Sequence, residues 1–144
     1  MAILISNKLD FKRKSIKSED DYHFIFIPGE IHEYKVSILN IYAPNTKAPT
    51  LVKETLLKLK AHIKPHPLIV GDFNTPLSPL DRTTSQKLNK ETKELTEVMS
   101  QLGLTDIDRT YHLNTKEYIF FSAPHGIFFK IDHILGDITN LNRY

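Results

Sequence analysis

Hydrophobic and polar positions alternate along this chain with two different periods. From Tyr34 to Tyr42 the period is two: Tyr34, Val36, Ile38 and Asn40 fall on one face, and Lys35, Ser37, Leu39 and Ile41 on the other. That pattern predicts a strand. Ala2–Ser6 is a short apolar run of the same type, and Tyr22–Ile27 is an aromatic and β-branched run stopped by Pro28-Gly29. Pro28-Gly29-Glu30 then reads as part of a hairpin connection between antiparallel strands. The period changes at Val52, Leu56, Leu59 and Ile63, with Lys53, Lys58, Lys60 and Lys64 mostly elsewhere. This predicts a helix, closed by Pro65 and Pro67. Leu68-Ile69-Val70 has the continuous apolar character of a buried strand and ends at Gly71-Asp72. Thr75 to Gln86, with Pro76, Pro79 and many hydroxyls, reads as a long ordered loop. Leu95, Val98, Met99 and Leu102 predict a second helix, opened by Asn89 and closed by Gly103. Tyr118–Phe121 and Phe128–Leu135 are predicted strands flanking a Pro124-His125-Gly126 turn, hence a second hairpin. Strands joined mostly by hairpins, with interspersed helices, predict an α+β chain rather than a doubly wound sheet.

Composition narrows this picture without redirecting it. The 144 residues contain no internal repeat, low-complexity tract or Gly/Ser linker, so one domain spanning 1–144 is expected. With 40% hydrophobic and 25% charged residues, the chain matches an ordinary globular protein. No apolar run approaches the ~18 residues of a membrane span, so no membrane partner is expected. Met1–Ile5 is too short for a signal-peptide core. The absence of cysteine excludes disulfides, thiolate zinc sites, iron–sulfur clusters and cysteine nucleophiles, and suits a reducing, intracellular compartment. The formal charge of +2 does not by itself point to nucleic acid. Lys8, Lys12, Arg13, Lys14 and Lys17 form a local basic excess, but Glu19-Asp20-Asp21 dilutes it, which reads as a solvated loop.

Three segments can carry chemistry. In Gly71-Asp72-Phe73-Asn74 a buried strand delivers Asp72, and two residues on Asn74, toward the same side. Asp72 can take a proton from water or bind a divalent cation, Asn74 can donate to a phosphoryl oxygen, and Gly71 permits close approach of the backbone to a ligand. The same four letters also make an ordinary strand-capping turn. In Lys130-Ile131-Asp132-His133-Ile134, alternation puts Ile131, His133 and Leu135 on one face and Lys130, Asp132 and Ile134 on the other. Asp132 and His133 therefore point apart and are not a catalytic pair; Asp132 can orient a histidine elsewhere, or bond to backbone as a half-buried strand residue. Tyr42 ends its strand just before Pro44 and can donate to a phosphate or serve as a rim aromatic. His62 and His66 have the spacing of a metal pair, but Pro65 interrupts the helix between them. No HExxH, GxSxG, GxGxxG or Walker motif is present.

Taken together, NIYAPN, a helix, LIVGDFNTPLSPLDR, then EYIFFSAPHG and KIDHILG resemble, in this order and spacing, the endonuclease domain of LINE retrotransposon second open reading frame proteins. More widely, they resemble the exonuclease–endonuclease–phosphatase superfamily, which includes DNase I and the abasic-site repair endonucleases. The resemblance runs from Met1 to Tyr144. It implies a partial DNase I-like two-sheet β-sandwich flanked by helices, and hydrolysis of a DNA phosphodiester with Mg²⁺. By the same resemblance, Asp72 and Asn74 position or activate the attacking water and hold the phosphate, with Asp72 as a weak, incomplete metal site. Tyr42 contacts the phosphate and Asp132 orients a catalytic His. The hairpin Phe121–Phe129 projects toward DNA, which makes Ile119, Ser122, His125 and Lys130 the implied DNA-facing residues. Ile119 stands where the LINE family usually has a Thr.

The departures from the family pattern shape the functional expectation. The family begins with a strand carrying an Asn and a following strand ending in Gln-Glu-Thr, whose Glu binds the metal. It ends with Ser-Asp-His, whose His is the acid–base partner. These 144 residues contain neither. Losing an acid–base group costs about 10²–10⁴ in rate, and losing metal electrostatics costs the term that is usually largest. The chain alone is therefore expected to be inactive, to bind Mg²⁺ weakly and to self-associate through exposed sheet edges. The alternative is a non-catalytic DNA-binding or interaction remnant.

Overall fold

The computed structural model describes residues 1–18, 23–82, 87–112, 120–122 and 127–143, with backbone alone for 120–122, 127–129 and 143. The strands are β1 (Phe11–Arg13), β2 (Lys17–Ser18), β3 (Phe24–Ile31), β4 (Tyr34–Tyr42), β5 (Pro67–Asp72), β6 (Leu104–Asp106), β7 (Phe120–Ser122), β8 (Ile127–Phe129) and β9 (Asp132–Asp137). The helices are α1 (Ala48–Leu59), α2 (Lys90–Gln101) and the short α3 (Ile107–Tyr111). A seven-stranded mixed sheet has the order β1-β3-β4-β5-β9-β6, with β2 beside β1 along the same edge of β3; β7 and β8 form a separate two-stranded sheet. Among the described residues only β4 and β5 pair in parallel, joined by a crossover through α1. The α+β class expected from the sequence is the one observed.

One face of the large sheet holds the core. Phe24, Phe26, Leu39, Ile41, Ile69 and Leu135 meet Val52, Leu56 and Leu59 of α1 and Leu95, Val98 and Met99 of α2, all buried. Burying each such side chain contributes about 1.5–3 kcal/mol. Both helices therefore lie on this inner face, as their periodicity requires. Asn89 opens α2 as expected, its Oδ1 accepting the Thr92 N–H at 2.8 Å. Gly103 follows its end with φ +69°. Helix α1 ends at Leu59, ahead of Pro65, and Ile63 is buried beyond it while Pro67 begins β5. The outer face, with Val36, Ile38, Asn40, Leu68 and Val70, is only half-buried.

Several local expectations are corrected. Ala2–Ser6 is not a strand; Ser6 instead caps a 3₁₀ turn, Asn7–Leu9, and the Ala2 carbonyl accepts from Asn40 on the outer face. Pro28-Gly29 is not a turn but lies inside β3. Pro28 is tolerated because its backbone faces the edge where β1 and β2 part, and its carbonyl there accepts the Lys14 N–H at 2.9 Å. Gly29 makes room for the Phe11 ring, which lies 2.5 Å from where a Cβ would stand. The real turn is His32-Glu33, both with positive φ (48° and 70°), the geometry of a tight two-residue hairpin. In the aromatic and β-branched run that follows Tyr22, Phe24, Phe26 and Ile27 are buried. The predicted strand Phe128–Leu135 is broken at Lys130-Ile131, whose backbone bonds to Asp81 and Phe73 instead. The Pro124-His125-Gly126 turn lies outside the described residues.

Candidate active site

Strand register assembles the site. Parallel β4 and β5 end at the same side of the sheet, and antiparallel β9 begins there. Tyr42 is therefore level with Asp72, and Asp72 with Asp132. Directly opposed residues share a sheet face, so the three side chains form one row on the outer face. Asp72 accepts the Asn74 N–H at 3.0 Å, a local turn that takes the chain off the strand. Asn74 adopts φ +47°, and its side-chain amide donates to the Ala43 carbonyl at 2.5 Å. Phe73 between them is fully buried, with its N–H bonded to the Ile131 carbonyl at 2.9 Å. Gly71 serves a different purpose from the one expected. At φ +145°, any Cβ would stand 1.9 Å from the Ile41 carbonyl oxygen, so the close approach is to β4 rather than to a ligand.

Asp72 and Asp132 line a shallow cavity of about 470 Å³ together with Val70, Gly71, Asp108, Lys130, His133 and Ile134. Tyr42 is 48% exposed. Partial burial, and then the neighbouring Asp72 charge, push the Asp132 carboxyl above the ordinary aspartate value, with His133 opposing them. Lys130 is turned inward, its Nζ 2.5 Å from Asp108 and 3.9 Å from Asp106. The Asn74 amide lies apart from the carboxylate row, beside a polar cavity with Asn45, Lys47 and Arg82. Ile119 and His125 lie outside the described residues, as does the side chain of Ser122.

A profile of the endonuclease/exonuclease/phosphatase family matches residues 1–141. The chain belongs to that family. Solved structures with a similar fold include the endonuclease domain of TRAS1, a telomere-specific non-LTR retrotransposon. It has 12% identity and a TM-score of 0.65, with 92% of this chain and 58% of that one covered. The AP endonuclease LMAP from Leishmania major has 15% identity and a TM-score of 0.61, with 84% and 47% covered. D. rerio TDP2 complexed with single-strand DNA product has 11% identity and a TM-score of 0.57, with 88% and 53% covered. The chain thus spans about half the length of these structures.

Within this member of the endonuclease/exonuclease/phosphatase family, a second polar cluster lies on the inner face, and sequence reasoning missed it. His133 is 2% exposed; its Nδ1 is 3.0 Å from Asp106 and its Nε2 2.9 Å from the Thr75 carbonyl. Asp106 caps α3 by accepting the Arg109 N–H. Burial pushes the Asp106 carboxyl up, but the His133 bond and charge, the Arg109 N–H and Lys130 outweigh it and hold it low. Asp81 accepts from the Leu77 and Ser78 N–H groups and pairs with the Arg109 guanidinium at 2.5 Å. Asp81, Asp106 and His133 bring potential ligand atoms within 4.8 Å of one another. They do not suit Mg²⁺, which keeps several waters, because these donors are buried and already engaged by a guanidinium, backbone N–H groups and each other. The Asp72–Asp132 pair is more open to a cation: it lies on the outer face, and the Asp72 charge adds to partial burial in raising the Asp132 carboxyl. The one sequence signal for the inner cluster was His133's inward alternation; Asp81 and Asp106 gave none.

Proposed function

We propose that these residues form part of a Mg²⁺-dependent endonuclease site that hydrolyses DNA phosphodiesters, of the kind LINE retrotransposons use to nick target DNA. The observation that carries this reading is the register of Tyr42, Asp72 and Asp132 across three adjacent strands, with Asn74 one turn beyond. NIYAPN and GDFNTPLSPLDR support the LINE assignment, alongside the fold shared with TRAS1. Asp72 would hold the cation, which when bound supplies Lewis-acid stabilisation of phosphoryl charge. Asp72 also accepts a proton from the attacking water, Asn74 and Tyr42 donate toward phosphate oxygens, and Asp132 orients an imidazole.

The chain by itself is expected to nick at background level. Among the described residues lining the carboxylate cavity, Asp108 is taken by Lys130, and His133 presents its ring nitrogens to the inner face. Among the described residues lining that cavity, none turns a free ring nitrogen toward it; such an acid–base group is worth about 10²–10⁴ in rate. The test is nicking of supercoiled plasmid with Mg²⁺, by the 144-residue chain and by a chimera carrying a family Gln-Glu-Thr strand before it and Ser-Asp-His after it. The chimera should nick, Asp72→Ala or Asn74→Ala should abolish that, and Asp132→Ala should weaken it less. A folded chimera indifferent to Asp72 and Asn74 would refute the assignment.

A further inference from the structure

We infer that His133, backed by Asp106, is a positioning residue for the Asp72–Asn74 segment, holding it from the opposite face of the sheet. The inference rests on reading that segment as the reactive one, but its geometry is independent of DNA and metal. Asn74 occupies left-handed backbone (φ +47°), which asparagine tolerates better than most residues and which its surroundings here reinforce. Those surroundings centre on His133. Its ring packs on Phe73, with centroids 5.3 Å apart, and its Nε2 reaches the Thr75 carbonyl at 2.9 Å. One imidazole therefore touches the residues on both sides of Asn74. The Thr75 hydroxyl is held in turn by Thr92 at 3.1 Å, so the segment's exit is tied to α2 as well.

The proton positions follow from the partners. A carbonyl oxygen only accepts, so Nε2 must carry a hydrogen. Nδ1 faces the Asp106 carboxylate, which the Arg109 N–H and Lys130 help keep ionised. Both ring nitrogens therefore face acceptors, a carbonyl and a carboxylate. Removing the imidazole would leave the Thr75 carbonyl buried without this donor, a loss that falls on the loop before it falls on the sheet.

The test uses the whole chain, labelled with ¹⁵N, without DNA or Mg²⁺. In long-range ¹H–¹⁵N spectra, both ring nitrogens of His133 should be protonated in the native chain. Asp106→Asn should leave Nε2 protonated and convert Nδ1 to an acceptor of the new amide, with Thr75 still held. His133→Gln keeps one donor but points a carbonyl at Asp106; hydrogen-exchange protection of the Phe73 and Asn74 amides should fall about tenfold or more, while β4 amides keep theirs. Adding Asp106→Asn to His133→Gln supplies a neutral amide pair and should restore the lost protection. An unprotonated Nε2 in the native chain would overturn the inference, and so would protection lost equally across β4, or a double variant that rescues nothing. If His133→Gln fails to fold, the native and Asp106→Asn spectra decide alone. Because no arm measures nicking, failure here leaves the endonuclease proposal untouched, and failure of nicking leaves this inference standing.

Discussion

Adjacent residues of β9 belong to two groups of carboxylates built on opposite rules. On the outer face, Asp132 and Asp72 stand level with each other, and Asp132's charge is made costly by partial burial and by its neighbour. On the inner face, Asp106 and Asp81 are far more buried, yet each has a cation nearby, Lys130 and Arg109, and backbone N–H donors. Burial alone would raise the Asp106 carboxyl; its partners turn the shift downward instead. Uncompensated charge on an open face is available to a ligand, whereas compensated charge in a core maintains geometry. The inner group would have been the easier to mistake for a metal centre, since its two residue types, Asp and His, are those metals use.

The largest test of this contrast is stability. Asp81→Ala should cost about 3–5 kcal/mol, because it removes a buried carboxylate that pairs with the Arg109 guanidinium and accepts from the Leu77 and Ser78 N–H groups. Asp132→Ala should stay within about 0.5 kcal/mol, as surface substitutions do. Urea denaturation midpoints of the two variants measure the gap, and equal losses would erase the distinction between the faces.

Acid titration gives a smaller but sharper separation. Asp106 has a lowered folded pKa, so its contribution to stability is present above the unfolded aspartate pKa and is lost as pH falls through the folded one. Asp137 follows the same sign. Burial would raise it, but bonds from Thr139 and Lys64 bring it to about 2, so its loss continues down to that pH. Asp132 has the opposite sign: its raised folded pKa favours the protonated folded state, and that advantage disappears as pH rises. Asp132→Asn should therefore stabilise the chain slightly at pH 7 and leave it unchanged at pH 3. Carboxyl NMR should find the Asp132 midpoint above that of Asp106, and the reverse order would contradict the assignment of partners.

The smallest expected effect is that of Mg²⁺. Binding at a concentration equal to its dissociation constant stabilises by only about 0.4 kcal/mol. Millimolar Mg²⁺ should shift NMR signals near Asp72 and Asp132, leave those of Asp106 and His133 in place, and lose its effect in Asp72→Ala. Micromolar affinity, or shifts centred on His133, would move the metal to the inner face.

Legibility from sequence followed the range of the interaction that decided each feature. β4 and α2 were readable because alternation and the Asn89 cap act within a few residues. The motif residues Asp72 and Asn74 were readable for the same reason, their bond being local. Pro28-Gly29 misled because its meaning depends on which edge of β3 it faces, and His32-Glu33 was passed over because its positive φ values are imposed by the pairing of β3 with β4. The break at Lys130-Ile131 leaves the alternation intact, so only the partners Asp81 and Phe73 reveal it.

The sequence by itself determined the α+β class, the helices' inward faces, the outward direction of Asp132 and the motif spanning Asp72 and Asn74, since periodicity and neighbour chemistry carry these. Only the tertiary structure decided that Tyr42, Asp72 and Asp132 stand in one row, because sheet register joins residues from separate strands. Only it decided the role of His133, whose partners Asp106 and Thr75 lie 27 and 58 positions away. A hydrogen bond between distant residues leaves no period in the chain; it exists once packing has brought donor and acceptor together and excluded the water that would otherwise serve both.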